Sequence, residues 1–305
     1  MLCLLKSCFS RDRYSNSVNV LATERQFSFS VEQVLLGGVH PDFRARVDAT
    51  RANPKDRISL NLSERFNQYL FDAELRRRVD DRQTLNLTGT PVQNLTPLAL
   101  VAELESLDLS ETQVRDLTSL AGLSNLKELL LVNAPVDDLS PLARLANLRI
   151  LRLGGTLVQS ISPLAGLRNL TFLELNLTQV QDLTPLACLT DMKCLELNDT
   201  QLQDLTPLTR LTNLQELHLQ NTPVSELGPL ARLTNLRTLI LDITLVQNIN
   251  PLTGLRNLRY LGLNHTQVQD LTPLAPLRNL QELGLFGTVA VANVLAHLKR
   301  LNISQ

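Results

Sequence analysis

The sequence predicts an α/β solenoid: a stack of short parallel strands joined by short 3₁₀ or helical returns, with a helical cap at its amino-terminal end. Three observations predict it. A Leu-x-Leu pair recurs from Leu85 to Leu285 at a spacing of 22 residues, ten times, without insertion or deletion. Within each turn the apolar spacing changes from 2 to 3, and most returns open on a hydroxyl residue followed by proline. A strict period of this length marks stacked supersecondary units, each too small to bury its apolar face alone and each burying it on its neighbours.

The turn from Leu123 to Leu145 shows each element in order. Around Leu129 and Leu131 the spacing of 2 is that of a strand whose alternate residues face in and out. Five residues after the first strand leucine stands a threonine, as at Thr112, Thr156 and Thr178, with Ala134 the exception. Hydroxyls stacked inside the bend satisfy backbone groups that leave the strand ladder, each worth roughly 1–3 kcal/mol if buried unpaired. From Leu139 to Leu142 to Leu145 the spacing of 3 predicts a tight helical return. Pairs such as Thr96-Pro97, Ser140-Pro141 and Thr184-Pro185 put a hydroxyl at the expected N-cap and proline at the first helical position, where its missing N–H is no loss. A column of asparagines, Asn125 to Asn279 with Asp191 in the same phase, is expected to tie the turn that leads into each strand.

The segment Leu167 to Leu189 reads L-x-x-L-x-x-L-x-L-x-x-T-x-V-x-D-L-T-P-L-x-x-L. It resembles the 22-residue leucine-rich repeat of bacterial internalin-type proteins, over about two thirds of the chain. The resemblance implies a right-handed leucine-rich-repeat solenoid, or horseshoe, with a parallel β-sheet on the concave side, and a role in protein–protein binding. Threonine stands where internalins carry asparagine in the bend. No secretion signal, carboxy-terminal sorting motif or following immunoglobulin-like domain is evident, so the receptor role of surface internalins is not carried over.

The remaining segments divide as 1–29, a poorly ordered start; 30–82, a helical cap; 83–288, the ten repeats; and 289–305, a carboxy-terminal cap. Ser30 to Leu36, Pro41 to Ala52 and Ser63 to Asp80 read as helices, and Arg76 to Arg78 as a solvated run. A cap is needed because a bare solenoid end exposes leucines and a strand edge. Residues 1–82 carry 14 Lys+Arg and 11 Asp+Glu, a balance of +3; the rest carry 15 and 19, a balance of −4. Neither has the basic excess of an electrostatic nucleic-acid binder. No apolar run approaches the roughly 20 residues of a membrane span. Cys188 and Cys194 fall on different faces, which argues against a disulfide framework and for a reducing, cytoplasmic setting, with secretion as an effector the alternative.

Function is expected on the concave sheet, at positions one before, one after and three after the first strand leucine. Leu130, Val132, Ile150 and Phe172 form an apolar patch beside Arg152. Glu174, Glu196 and Glu216, with Glu128 nearby, form an acidic stripe tolerated through screening by water. His218, Ile240 and Tyr260 extend the face. An apolar anchor beside acid suits a protein ligand with a basic, partly apolar segment, bound by a monomeric, non-catalytic module. No cofactor is implied: the four histidines are scattered, no Cys/His spacing suggests zinc, and no glycine-rich loop opens a helix. The alternative is a bacterial effector whose repeats target a small amino-terminal functional domain to a host protein.

Overall fold

The structure is a computed structural model that describes residues 83–288 together with residues 9–11, 17–22 and 25–30. Ser30, expected to cap a helix, is instead the last residue of a strand; the rest of the expected helices within 31–82, Arg76 to Arg78 and the cap at 289–305 lie outside the described residues. The chain forms two units, Met1–Ala73 and Glu74–Gln305. In the first, strands β1 (Phe9–Arg11), β2 (Ser17–Ala22) and β3 (Arg25–Ser30) make an antiparallel sheet in that order.

The second unit is built on ten parallel strands, one per repeat. They are β4 (Thr84–Asn86), β5 (Ser106–Asp108), β6 (Glu128–Leu130), β7 (Ile150–Arg152), β8 (Phe172–Glu174), β9 (Cys194–Glu196), β10 (Glu216–His218), β11 (Thr238–Ile240), β12 (Tyr260–Gly262) and β13 (Glu282–Gly284). Each lies beside the next in chain order, in one open sheet. The register follows the repeat: Leu85 pairs with Leu107, and so on to Leu261 with Leu283. A slip of one residue would turn a whole leucine column from the core to solvent, so the hydrophobic pattern fixes it. Pairing runs on past the strands, with Leu87 N–H donating to Asp108 O at 2.8 Å and Gly89 N–H to Ser110 O at 2.9 Å.

At the strand end the chain turns sharply. The fourth residue after the first strand leucine has a positive φ in every repeat, from Gly89 at +67° to Gly287 at +69°. Glycine, asparagine and aspartate tolerate this region; a branched or bulky side chain there is a steric outlier. Inside the bend the threonines do what their spacing predicts: Thr112 Oγ1 donates to Leu109 O at 2.7 Å, Thr178 Oγ1 to Leu175 O at 2.7 Å and Thr266 Oγ1 to Leu263 O at 2.7 Å. Ala134 lacks the hydroxyl, and in its repeat Val136 N–H donates to Ala134 O instead.

The returns are 3₁₀ segments, from Thr96–Leu100 to Thr272–Leu274. Their start differs from the expected N-cap. The hydroxyl residue is the first residue of the return, and a leucine or isoleucine precedes it at the cap without a side-chain bond. Leu117, Leu139 and Leu183 are buried there, so the capping acceptor is supplied one residue earlier, as an Asx turn. Thr118 N–H donates to Asp116 Oδ1, Ser140 N–H to Asp138 Oδ1 and Thr184 N–H to Asp182 Oδ1, each at 2.8 Å.

The asparagine column ties repeat to repeat: Asn147 Nδ2 donates to Ser124 O and Asn169 Nδ2 to Ala146 O, both at 2.8 Å. Asp191 has no side-chain N–H to donate, so this tie is missing between the fifth and sixth repeats. Between sheet and returns lies one continuous apolar core in which leucines such as Leu129, Leu173 and Leu195 are wholly buried.

Candidate protein-binding surface

The open face of the sheet carries the side chains that the leucine register turns away from the core. Leu130, Val132, Ile150 and Phe172 are half-buried on the neighbouring strands β6, β7 and β8 and the start of the following bend. They form the expected patch. Arg152 joins it differently from expectation: its guanidinium lies over the Phe172 ring, 4.5 Å from the centroid, and its Nη1 pairs with Glu174 Oε2 at 3.1 Å. A cation over an aromatic face is favourable by about 0.5–1 kcal/mol at an exposed site.

The acidic stripe is held by partners and not by water alone. Glu174 is buried to 9% exposure, and Asn176 Nδ2 bridges Glu174 Oε1 at 3.2 Å and Glu196 Oε2 at 2.9 Å. Carboxylates on paired neighbouring strands repel, and the guanidinium and the amide offset this. Gly154 makes the room: a Cβ there would lie 2.5 Å from Glu174 Oε1. Glu128 accepts from Ser106 Oγ at 3.0 Å and is half-buried, whereas Glu216 is exposed. Beside Glu216, burial first, then the charges of Glu216 and Glu196, push the Cys194 thiol up to about 12. His218 and Ile240 sit half-buried on β10 and β11, and Tyr260 on β12, where burial and then Asp242 and Glu282 raise its hydroxyl.

The third position after the first leucine is not free of structural duty. Asn176 Oδ1 accepts Asn198 N–H at 2.8 Å, Asn198 Oδ1 accepts Gln220 N–H at 2.9 Å, and Asp242 Oδ1 accepts Asn264 N–H at 2.8 Å. These side chains lace one repeat to the next, so they are poor candidates for ligand contact. Sequence reasoning missed them because a polar side chain on a sheet face looks the same whether it meets solvent or a neighbouring N–H. It also missed the bends at the strand ends, where Leu157, Leu177, Ile243 and Leu245 are exposed; their signal was leucine or isoleucine in columns that the other repeats fill mostly with polar residues, glycine or proline.

Residues 212–255 match the family of leucine-rich repeats in two copies. No curated protein matches the sequence. Among solved structures, an internalin of Listeria monocytogenes is 30% identical, over 72% of this chain and 74% of that one, with a TM-score of 0.61. Internalin C2 of the same species is 35% identical over 60% and 80%, with a TM-score of 0.59. The chain belongs to the internalin-type leucine-rich repeat proteins. The repeat ectodomain of a plant membrane receptor kinase from Arabidopsis thaliana is 27% identical over 67% of this chain and 27% of that one, with a TM-score of 0.59, in a complex with Casparian strip integrity factor 2.

In this internalin-type chain, no group of three His, Cys, Asp or Glu among the described residues could hold a metal ion. No helix among them is long and apolar enough to cross a membrane. A shallow polar groove of about 410 Å³ lies where the strands begin, lined by Thr171, Asp191, Lys193, Asn213, Gln215 and Asn235, and shares no residue with the face just described.

Proposed function

We propose that this internalin-type protein is a non-catalytic recognition module that binds a protein partner through the open face of the repeat sheet. The observation that carries the reading is the patch of Leu130, Val132, Ile150 and Phe172, apolar side chains left partly in water on adjacent strands with Arg152 stacked beside them. Contiguous apolar surface of this kind is held against its own hydration cost and marks interaction sites. Glu196 and the exposed Glu216 border it, which favours a basic, partly apolar ligand segment. That a similar repeat ectodomain is solved in complex with Casparian strip integrity factor 2 supports a binding role here.

The test is crosslinking capture from the source cell, comparing wild type with Phe172→Ala/Glu196→Lys. Glu174 is left unaltered, since it is buried and paired. Partners captured by wild type and lost with the variant, with the variant still melting in one cooperative transition, are expected. Equal capture by both proteins overturns the open-face assignment.

A further inference from the structure

Five large apolar side chains stand exposed among the described residues, and all but Phe286, which is at the third position after its leucine, lie on one rim of the repeat stack, where the strands end. The five are Leu157, Leu177, Ile243, Leu245 and Phe286, at 48–76% exposure. Phe286 meets His265 edge-on at a centroid distance of 5.2 Å. The other four fall in two groups: Leu157 and Leu177 in the fourth and fifth repeats, and Ile243 and Leu245 in the eighth.

Leu177 and Ile243 also occupy the bend position with φ of +57°. The other eight repeats fill it with glycine, asparagine, aspartate, glutamate or histidine. A leucine and a β-branched isoleucine are disfavoured there, and their exposure means that packing within the fold does not compensate. Strain kept at an exposed apolar residue, twice, points outward to something that covers it.

The charge around them says what. From the fourth to the ninth position after the first leucine, the rim carries nine carboxylates and one guanidinium, Arg115, already paired with Asp137. Hydrogen bonds from Thr184 and Thr206 hold Asp182 and Asp204 below the usual carboxylate range, so both stay ionised at neutral pH. On the opposite rim, where the strands begin, the described residues carry eleven Lys and Arg against three carboxylates, with no exposed large apolar residue. A basic ligand is repelled there and drawn to the strand-end rim.

We propose that the strand-end rim is a second docking surface, for a basic segment of a protein partner that carries two apolar anchors about three strand spacings, or roughly 14 Å, apart. One anchor sits on Leu157 and Leu177, the other on Ile243 and Leu245. The inference rests on the reading of the protein as a recognition module but not on the open face being its site.

Two variants test it without threatening the fold, because each installs what other repeats already carry. Leu177→Asn/Ile243→Asn copies Asn133 and Asn221, and Leu157→Gln/Leu245→Gln copies Gln179 and Gln201. The probes are fluorescent peptides titrated against the full chain: a 16-residue Lys/Leu sequence with leucines four apart, and the same sequence with serine for leucine. The wild type is expected to bind the Lys/Leu peptide at least tenfold tighter than the Lys/Ser one, and each rim variant to lose most of that difference. Made in a Phe172→Ala background, which silences the open face, the rim variants should show the same loss. No preference for leucine in the wild type, or full preference retained in both rim variants, overturns the proposal. Loss with Phe172→Ala alone overturns it too, and returns the site to the open face.

Discussion

Leu177→Asn offers a sharp check on the structural reasoning, because two opposed effects can be weighed from the geometry. Leu177 is 64% exposed, so only about a third of its side chain is covered. Full burial of a leucine is worth about 2 kcal/mol, and truncating this one therefore forfeits roughly 0.7 kcal/mol. Against that, a non-glycine residue in the left-handed region costs about 1–2 kcal/mol, and asparagine adopts it more readily. The net expectation is a gain of about 0.5 kcal/mol, or 1–2 °C in melting temperature for a unit of this size. Leu175→Ala, two residues earlier in the same repeat but wholly buried, should cost about 2–5 kcal/mol. Thermal melts followed by circular dichroism compare the two directly. If Leu177→Asn lowers the melting temperature by more than 2 °C, Leu177 is held by packing, and both the strain argument and the rim proposal lose their footing.

Gly154→Ala should drive a methyl group into the Glu174 carboxylate and loosen its pairing with Arg152; with Arg152 40% exposed the loss is about 1–2 kcal/mol, read as a fall of about 2–8 °C. Combined with Glu174→Ala it should cost less than the sum, and strict additivity would argue against the contact. Asp116, Asp138, Asp182 and Asp204 are held below their ordinary value of 3.8 by hydrogen bonds from the residues two further on. Because the folded values are lowered, their stabilisation is present above that pH and is lost as the pH falls below it. Melts at pH 7 down to pH 2 should show this decline, and replacing all four by Asn, as Asn94 and Asn248 already exemplify, should flatten it. Cys194, pushed up to about 12, stays a neutral thiol at pH 8.5, so iodoacetamide should modify the exposed Cys188 well before it. The sign is that of a raised group: any stability it contributes is complete below its ordinary value of 9.0 and fades as the pH rises towards 12. Equal alkylation rates would remove the argument for its burial.

The repeat was legible because period and register are one property here. Once Leu107 is known to follow Leu85 at 22 residues, strand pairing, the inward leucine columns and the threonine bend all follow. What sequence periodicity does not carry is direction within a polar pair. Nothing in the identity of Asn176 tells that it reaches both Glu174 and Glu196, and nothing in Thr118 tells that Asp116 caps it, since both readings satisfy the same spacing. The burial of Glu174 was hidden for a related reason: it depends on the missing side chain of Gly154 in the neighbouring repeat. The strand-end rim was visible in principle, as Leu177 and Ile243 break a column of turn formers, but only once that column is known to lie at positive φ.

The missing tie at Asp191 reaches further than one hydrogen bond. A repeat array is a chain of couplings between neighbours, and its cooperativity is set by the weakest of them. Asn147, Asn169, Asn213 and Asn235 each clamp their repeat to the one before, while the junction between the fifth and sixth repeats, at the centre of the ten, goes without. Under stress the stack should therefore part in its middle into two half-stacks of five repeats, with amide exchange around Asp191 outrunning that around Asn235. The Leu157 and Leu177 group lies on one side of this seam and the Ile243 and Leu245 group on the other. A ligand bridging both would act as a splint, and Asp191→Asn would supply from within part of what the ligand supplies from outside.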